Sequence, residues 1–445
     1  MSIGLSARHG DGLTEAEHEL VRTLRAAVGT RLAASVGDDT PLEQRQTVGR
    51  ELIDAALEEH TRQALAGGGQ VLDRLTEQRV ARAVFDGLFG LGGFQVLLDD
   101  PDIENIIANG CDQVFVRTGR ERKPVAPVAG SDEELVELLR TIAARAGAEE
   151  RRFDRGNPQL NIQLPDGSRL FAVMSVSKRP SVTVRRHRFM DVSLAQMVRL
   201  GVFDQDVAAQ LAALVRGRFN ILIAGGTDTG KTTLLRALAK AIAPEERLVT
   251  IEDTYELGLD QDIDAHPDVV AMQAREANIE GHGRVSQAEL VRMGLRMSPD
   301  RVIVGEVRGE EVIPMLNAMS QGADGSLGTI HASNSRQVFN RLAAYAIQAP
   351  ERLDRAATNL MVSSAVHVIV QLTKLRDGTR VVSSIREITG INERDEITSN
   401  EVYKPGADGR AVPATGWQVE TANALIDADL DEAVLTRAAR TGWSI

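Results

Sequence analysis

The residues with the strongest chemical signature are Gly225, Gly226, Thr227, Asp228, Thr229, Gly230, Lys231 and Thr232, followed by Thr233, which satisfy G-x-x-x-x-G-K-[ST] in full. Glycines at those positions let the backbone wrap an anion with its N–H groups pointing inward, and a helix beginning at the lysine adds partial positive charge there. In such a loop the ammonium reaches the β- and γ-phosphates of a nucleotide, and the hydroxyl after it is a ligand for Mg²⁺. The apolar run 219–224 leads straight into the loop and the helical run 231–242 leaves it, the strand, loop, helix order that this chemistry requires. Asp228 is discordant. A carboxylate about 6 Å from each phosphate charge costs about 3 kcal/mol at an effective dielectric of 20, so the expected arrangement turns it outward and leaves only its backbone in the cradle.

A phosphate cradle does not name a reaction; the acids around it do. Open parallel sheets place ligands beyond the carboxyl ends of their strands. The strand candidate 301–307 carries Glu306 near its end, placed to hold a magnesium-bound water or to polarise the attacking one. The candidate 247–252 ends in Glu252 and Asp253, with Glu256 one turn further on. Thr232, Glu306 and Asp253 are therefore the candidate metal set, with solvated charges after strands as the plain alternative for the two acids. His331 closes the candidate 326–331, where an imidazole either senses the γ-phosphate or bonds to the next strand. The other histidines show no metal spacing, and the single cysteine, Cys111, excludes an internal disulfide and a thiolate zinc cage.

The elements that must hold these groups follow from pattern. Over 206–373, apolar strands alternate with helices, which argues for an α/β fold with a parallel, doubly wound sheet, preceded by a linker over 191–205. Residues 80–190 mix short strands with a helix over 132–146 and read as a smaller α/β domain. Its segment 151–188 holds nine Lys/Arg and two Asp, a local +7 in a chain of net charge −12. That segment is either a solvated basic face or a set of arginines aimed at phosphate held elsewhere. Residues 1–79 carry apolar positions at helical spacing, as in Leu20, Leu24 and Val28, and are assigned no chemistry. Residues 374–445 read as a small β-rich extension.

Composition narrows the partners. A net charge of −12 repels polyphosphate and anionic bilayers at long range, and 3% aromatic residues leave few stacking platforms, so no nucleic-acid partner is expected. The longest apolar stretch, near 360–372, is broken by Ser363, Ser364 and His367, so no membrane span is expected, and the first twenty residues do not read as a signal peptide.

Taken together, these residues resemble the secretion-superfamily, or traffic, ATPases of bacterial type II and type IV secretion and pilus assembly, most closely the Tad/Flp pilus branch. GGTDTGKTT is similar to their Walker A, IEDTYEL at 251–257 to their Asp box, RMSPDRVIVGEVRG at 296–309 to their atypical Walker B, and GADGSLGTIHASN at 322–334 to their His box. The resemblance covers about 80–391. It implies a RecA-like P-loop motor behind an amino-terminal α/β domain, Mg²⁺-dependent ATP hydrolysis, and a hexameric ring. It further implies a cytoplasmic protein, peripheral at the inner face of the cell membrane, docked to an integral membrane platform that incorporates pilins or moves secreted substrate. Glu306 takes the place of the Walker B glutamate, Glu252 that of the Asp-box glutamate, and His331 that of the retained His-box histidine. Arg169 and Arg185 fall where such enzymes send arginines toward nucleotide. Which of Glu252 and Glu306 is the base stays open. Three positions depart from the pattern: Ala323 replaces the first His-box histidine, Asp228 a Walker A glycine, and Ser298 a common arginine. Two other readings compete: a RecA-like motor that translocates nucleic acid, and a weakly hydrolysing ATP-gated scaffold.

Overall fold

A capping box starts the first helix, α1 (Glu15–Ser35): the Thr14 hydroxyl accepts the Glu17 amide, and the Glu17 carboxylate accepts the Thr14 amide. Two more helices follow, α2 (Leu42–Ala66) and α3 (Arg74–Phe89). Val21, Leu24 and Val28 of α1 meet Ile53 and Leu57 of α2 and Val80 and Val84 of α3 in one apolar core. The boundary expected at residue 79 thus falls inside α3. The helical period runs on through Val80 and Val84, which have nowhere else to be buried. The computed structural model describes residues 13–37, 40–68, 71–119, 121–145, 153–186, 192–275, 277 and 282–442. It divides into two units, 1–188 and 189–445.

The first unit continues through a one-turn helix, α4 (Gln95–Leu98), then β1 (Asn105–Asn109), β2 (Val114–Thr118), β3 (Glu121–Val125), α5 (Asp132–Arg145), β4 (Gln159–Gln163), β5 (Arg169–Val173) and β6 (Ser181–Arg185). The strands form one antiparallel sheet in the order β3-β2-β1-β6-β5-β4. Its inward residues, among them Ile106, Leu160, Leu170 and Val184, pack with Leu135 and Leu139 of α5. The strand β3 lies outside the sequence expectation because its residues are mostly polar and exposed and include Pro124, a composition only an edge strand tolerates. Arg169 and Arg185 are direct cross-strand partners on β5 and β6. Arg179, also in the basic segment, is committed to Asp112 and Asp132 at 2.7 Å each. Residues 151, 152, 187 and 188 of that segment lie outside the described residues.

The second unit runs α6 (Leu194–Arg199), α7 (Gln205–Arg216), β7 (Ile221–Gly225), α8 (Lys231–Ala239), β8 (Leu248–Glu252), β9 (Val269–Gln273), α9 (Gln287–Gly294), β10 (Arg301–Val307), α10 (Val312–Ser320), β11 (Leu327–His331), α11 (Gln337–Gln348), α12 (Arg355–Ala365) and β12 (Val368–Lys374). It ends with β13 (Arg380–Ile391), β14 (Ile397–Pro405), β15 (Ala411–Pro413), α13 (Val419–Asp427) and α14 (Glu432–Gly442). The sheet order is β15-β14-β13-β12-β7-β11-β10-β8-β9. From β12 to β9 neighbouring strands are parallel, and β13 to β15 add on antiparallel.

All five residues of β7 and of β8 are buried, as central strands must be when helices cover both sheet faces. Ile221 and Ile223 pack with Leu211 and Leu214 of α7 and Leu234 and Leu238 of α8. Leu222 and Ala224, pointing the other way, pack with Leu316 of α10, Leu342 of α11 and Val362 of α12. The result is the doubly wound α/β architecture expected.

Two expected boundaries need correction. The stretch 191–205 is not a free linker: it contains α6, and Met197, Val202 and Phe203 are buried in the core of α7 and α8. The stretch after 374 is not a separate extension. β13 pairs with β12 from Val368↔Glu387 to Lys374↔Arg380, covering what would otherwise be an exposed apolar edge, and two helices close the unit. Among the described residues, no single helix is long and apolar enough to cross a membrane.

Candidate functional site

The loop that wraps an anion is built by its neighbours. β7 delivers Gly225, where an added Cβ would meet Thr229 Oγ1 at 2.4 Å and the Leu372 carbonyl oxygen at 3.0 Å, so no side chain fits. Thr229 donates its hydroxyl to the Gly226 carbonyl at 2.9 Å, tightening the turn. Gly230, at φ +93, takes the left-handed conformation that opens α8. Lys231 is buried, and its ammonium donates to the carbonyls of Gly225 at 3.3 Å and Gly226 at 2.9 Å. The same Nζ lies 3.3 Å from His331 Nε2 at the end of β11.

His331 joins the lysine to the acid on the next strand. Its Nε2 is 2.5 Å from Glu306 Oε1, a separation that requires a proton between the two atoms. Burial first, and Lys231 second, hold the imidazole below its ordinary pKa against the pull of Glu306. Glu306 itself sits at a register shift of β10 between Val304 and Val307, where Thr329 Oγ1 donates to the Gly305 carbonyl at 2.6 Å. A bulge of this kind re-aims a side chain beyond a strand end. Arg308, two residues on, bonds Asp253 at 2.8 Å and approaches Glu306 at 3.5 Å.

Glu252 has a different environment. It is 4% exposed, and its Oε1 accepts the amides of Glu256 and Leu257 at 2.9 Å each, folding the segment after β8 back on itself. Burial pushes its pKa up to about 7, against the lowering effect of those two bonds. The fold-back brings Glu256 Oε2 to 3.5 Å from the Thr232 hydroxyl. The carboxylate beside Thr232 is therefore Glu256, whereas Asp253, expected in the metal set, is engaged by Arg308. Thr232 with Glu256 is an all-oxygen donor set suited to Mg²⁺, which keeps water and phosphate oxygens as most of its ligands. Among the described residues no group of three or more acids, histidines or cysteines is placed to hold a metal ion.

Asp228 takes φ +60, the left-handed conformation that Asp tolerates better than most residues. Its carboxylate is turned to the turn end of β12 and β13, with Lys374 Nζ and Arg380 Nη2 each at 2.6 Å. Burial alone would raise its pKa, but the bonds from Lys374 and Arg380 reverse that and hold it below the usual carboxylate range. Sequence reading missed Lys374, Arg380 and Arg308. Arg308 had a signal, since it follows Glu306 by two and so shares its side of an extended chain. The other two had none, because their place depends on β12 lying beside β7. Arg169 and Arg185 belong to the first unit, where they face each other across β5 and β6.

The sequence pattern of the family described as "Type II/IV secretion system protein" matches residues 92–440. The chain is 36% identical over 307 residues to a protein of Mycobacterium tuberculosis (strain ATCC 25618 / H37Rv) named for conjugal transfer, covering 67% of this chain and 84% of that one. It is 34% identical over 307 residues to Protein VirB11 of Agrobacterium fabrum (strain C58 / ATCC 33970), covering 61% of this chain and 85% of that one. Two solved structures share the fold. The ATPase DotB of Yersinia pseudotuberculosis gives a TM-score of 0.50 at 16% identity over 80% of this chain and 94% of its own. The pilus retraction motor PilT with bound ADP gives 0.50 at 17% identity over 68% of this chain and 84% of its own. Since the family pattern takes in both the antiparallel sheet of the first unit and the nine-stranded sheet of the second, the chain belongs to the type II/IV secretion family of P-loop ATPases.

Proposed function

We propose that the chain hydrolyses ATP to ADP and phosphate with Mg²⁺, as a hexameric ring at the cytoplasmic face of the membrane, and drives an integral membrane platform of a pilus or secretion system. The observation that carries the reading is the chain of contacts from Lys231 Nζ through His331 Nε2 to Glu306 Oε1, at 3.3 and 2.5 Å. Lys231 exchanges its carbonyl partners for β- and γ-phosphate oxygens and stabilises the charge that develops on them. Glu306 is the base: it is 29% exposed at a strand end, and with His331 Nε2–H donating to Oε1 its other oxygen takes the water's proton. Glu252 is a positioning residue, its acceptor oxygen committed to two amides.

Thr232, with Glu256 and Glu306 reaching through water, would hold Mg²⁺, which when bound neutralises phosphate charge. Arg169 and Arg185 would supply guanidinium charge to the phosphates, from the same subunit or a neighbouring one. Relatives named for conjugal transfer and as VirB11, and the fold shared with a pilus retraction motor, support work on a secretion or pilus machine. The four motifs together favour its Tad/Flp branch. With a net charge of −12, no nucleic-acid ligand is proposed.

Titration of the purified chain with a fluorescent ATP analogue tests the site. Lys231→Ala is expected to weaken binding by about 10² or more. Equal affinities would remove the reading.

A further inference from the structure

Asp228 poses a problem that the nucleotide reading leaves unsolved. It stands inside the phosphate cradle, and its backbone is part of the wall. A lone carboxylate there would oppose every phosphate charge the loop is built to attract. At about 6 Å and an effective dielectric of 20, one such repulsion weakens affinity about a hundredfold.

Two cations meet that carboxylate from one place. Lys374 ends β12 and Arg380 begins β13, and the two are direct register partners at the turn end of the hairpin. Like charges directly opposite on paired strands destabilise a hairpin unless something negative sits between them. Asp228 is that group, at 2.6 Å from each. Arg380 also donates from Nε to the Asp228 carbonyl at 3.0 Å, and its Cδ lies 3.4 Å from where a Cβ on Gly230 would stand. One side chain thereby meets both the middle and the end of the loop. The arrangement is fixed by the sheet, because β12 also pairs with β7, the strand that delivers the loop, in the register Leu372↔Gly225.

Resting on the nucleotide reading of this loop, we propose that Lys374 and Arg380 are positioning residues of the phosphate site. They neutralise the charge that Asp228 would otherwise turn against the phosphates and leave the three-residue cluster with a net charge of +1. They act through Asp228, so their effect on nucleotide affinity depends on its charge. A merely structural role of the hairpin would show no such dependence.

The experiment is binding of a fluorescent ATP analogue to the full chain, with thermal unfolding recorded for each variant. Lys374→Gln with Arg380→Gln is expected to raise the dissociation constant about a hundredfold. Adding Asp228→Asn to that pair is expected to recover at least about tenfold of that loss, since asparagine keeps the left-handed backbone without the charge. Asp228→Asn alone leaves two uncompensated cations, so it is expected to bind at least as tightly and with a steeper salt dependence. The proposal is overturned if the paired variant binds like the starting chain, if the triple variant stays as weak as the pair, or if Asp228→Asn alone weakens binding. The last arm decides the matter even where the paired variant does not fold. Lys231→Ala separates the two levels: if it binds like the starting chain, the nucleotide reading fails, and this proposal fails with it.

Discussion

Glu252 and Glu306 stand at the ends of neighbouring strands, and their surroundings give them different tasks. Glu252 is buried with a pKa near 7, whereas the ordinary value is 4.5. A carboxyl raised by folding holds its proton longer in the folded chain. Its stabilising contribution is complete below about pH 4.5 and is lost as pH rises through about 7, a change of about 3 kcal/mol. Glu252→Gln keeps an oxygen for the two amides and does not titrate. The stability of that variant relative to the starting chain is therefore expected to rise by up to about 3 kcal/mol between about pH 4.5 and pH 8, as read by urea unfolding. A difference that stays constant with pH contradicts the burial argument. Sequence made the identity of these acids legible and not their division of labour. Both follow an apolar strand, and only the fold-back of 253–257 onto Glu252 separates a buried acceptor from a carboxylate at the water's edge. The same fold-back explains why Glu256, and not Asp253, meets Thr232.

At the scale of elements, the strands of the second unit were readable because burial on both faces demands runs rich in apolar residues, as in all of β7, Leu248 to Ile251 of β8 with Thr250 among them, and Val302 to Val304 of β10. What escaped was anything set by which strand lies beside which. β12 is separated from β7 by more than a hundred residues of chain yet lies next to it, and this adjacency puts Lys374 and Arg380 on the loop. The β-rich alternation after residue 380 was legible, but its membership of the motor sheet was not, since alternation says nothing about a partner. The partnership has a consequence. Val382, Ile385, Val402 and Leu425 belong to the same buried core as Ile221 and Leu234. A chain ended after Lys374 is expected to lose the cooperative unfolding of its second unit in thermal circular dichroism. A cooperative transition within about 5 °C of the full chain would show that β13 to α14 are dispensable to that core.

For the whole molecule, the excess of positive charge in the first unit is confined to the segment 151–188, inside a chain that is acidic overall. The local +7 over 151–188 was visible in composition, but the register that sets Arg169 opposite Arg185 was not, and Arg179 turns out to serve Asp112 and Asp132. The proposed function places hydrolysis at one carboxylate, Glu306, so the most direct test is phosphate release from ATP in a single turnover by the full chain. Glu306→Gln is expected to slow release by about 10²- to 10⁴-fold, the usual contribution of a general base, while Glu252→Gln stays within about tenfold of the starting chain. Unchanged release by Glu306→Gln, or the larger loss falling on Glu252→Gln, would contradict it.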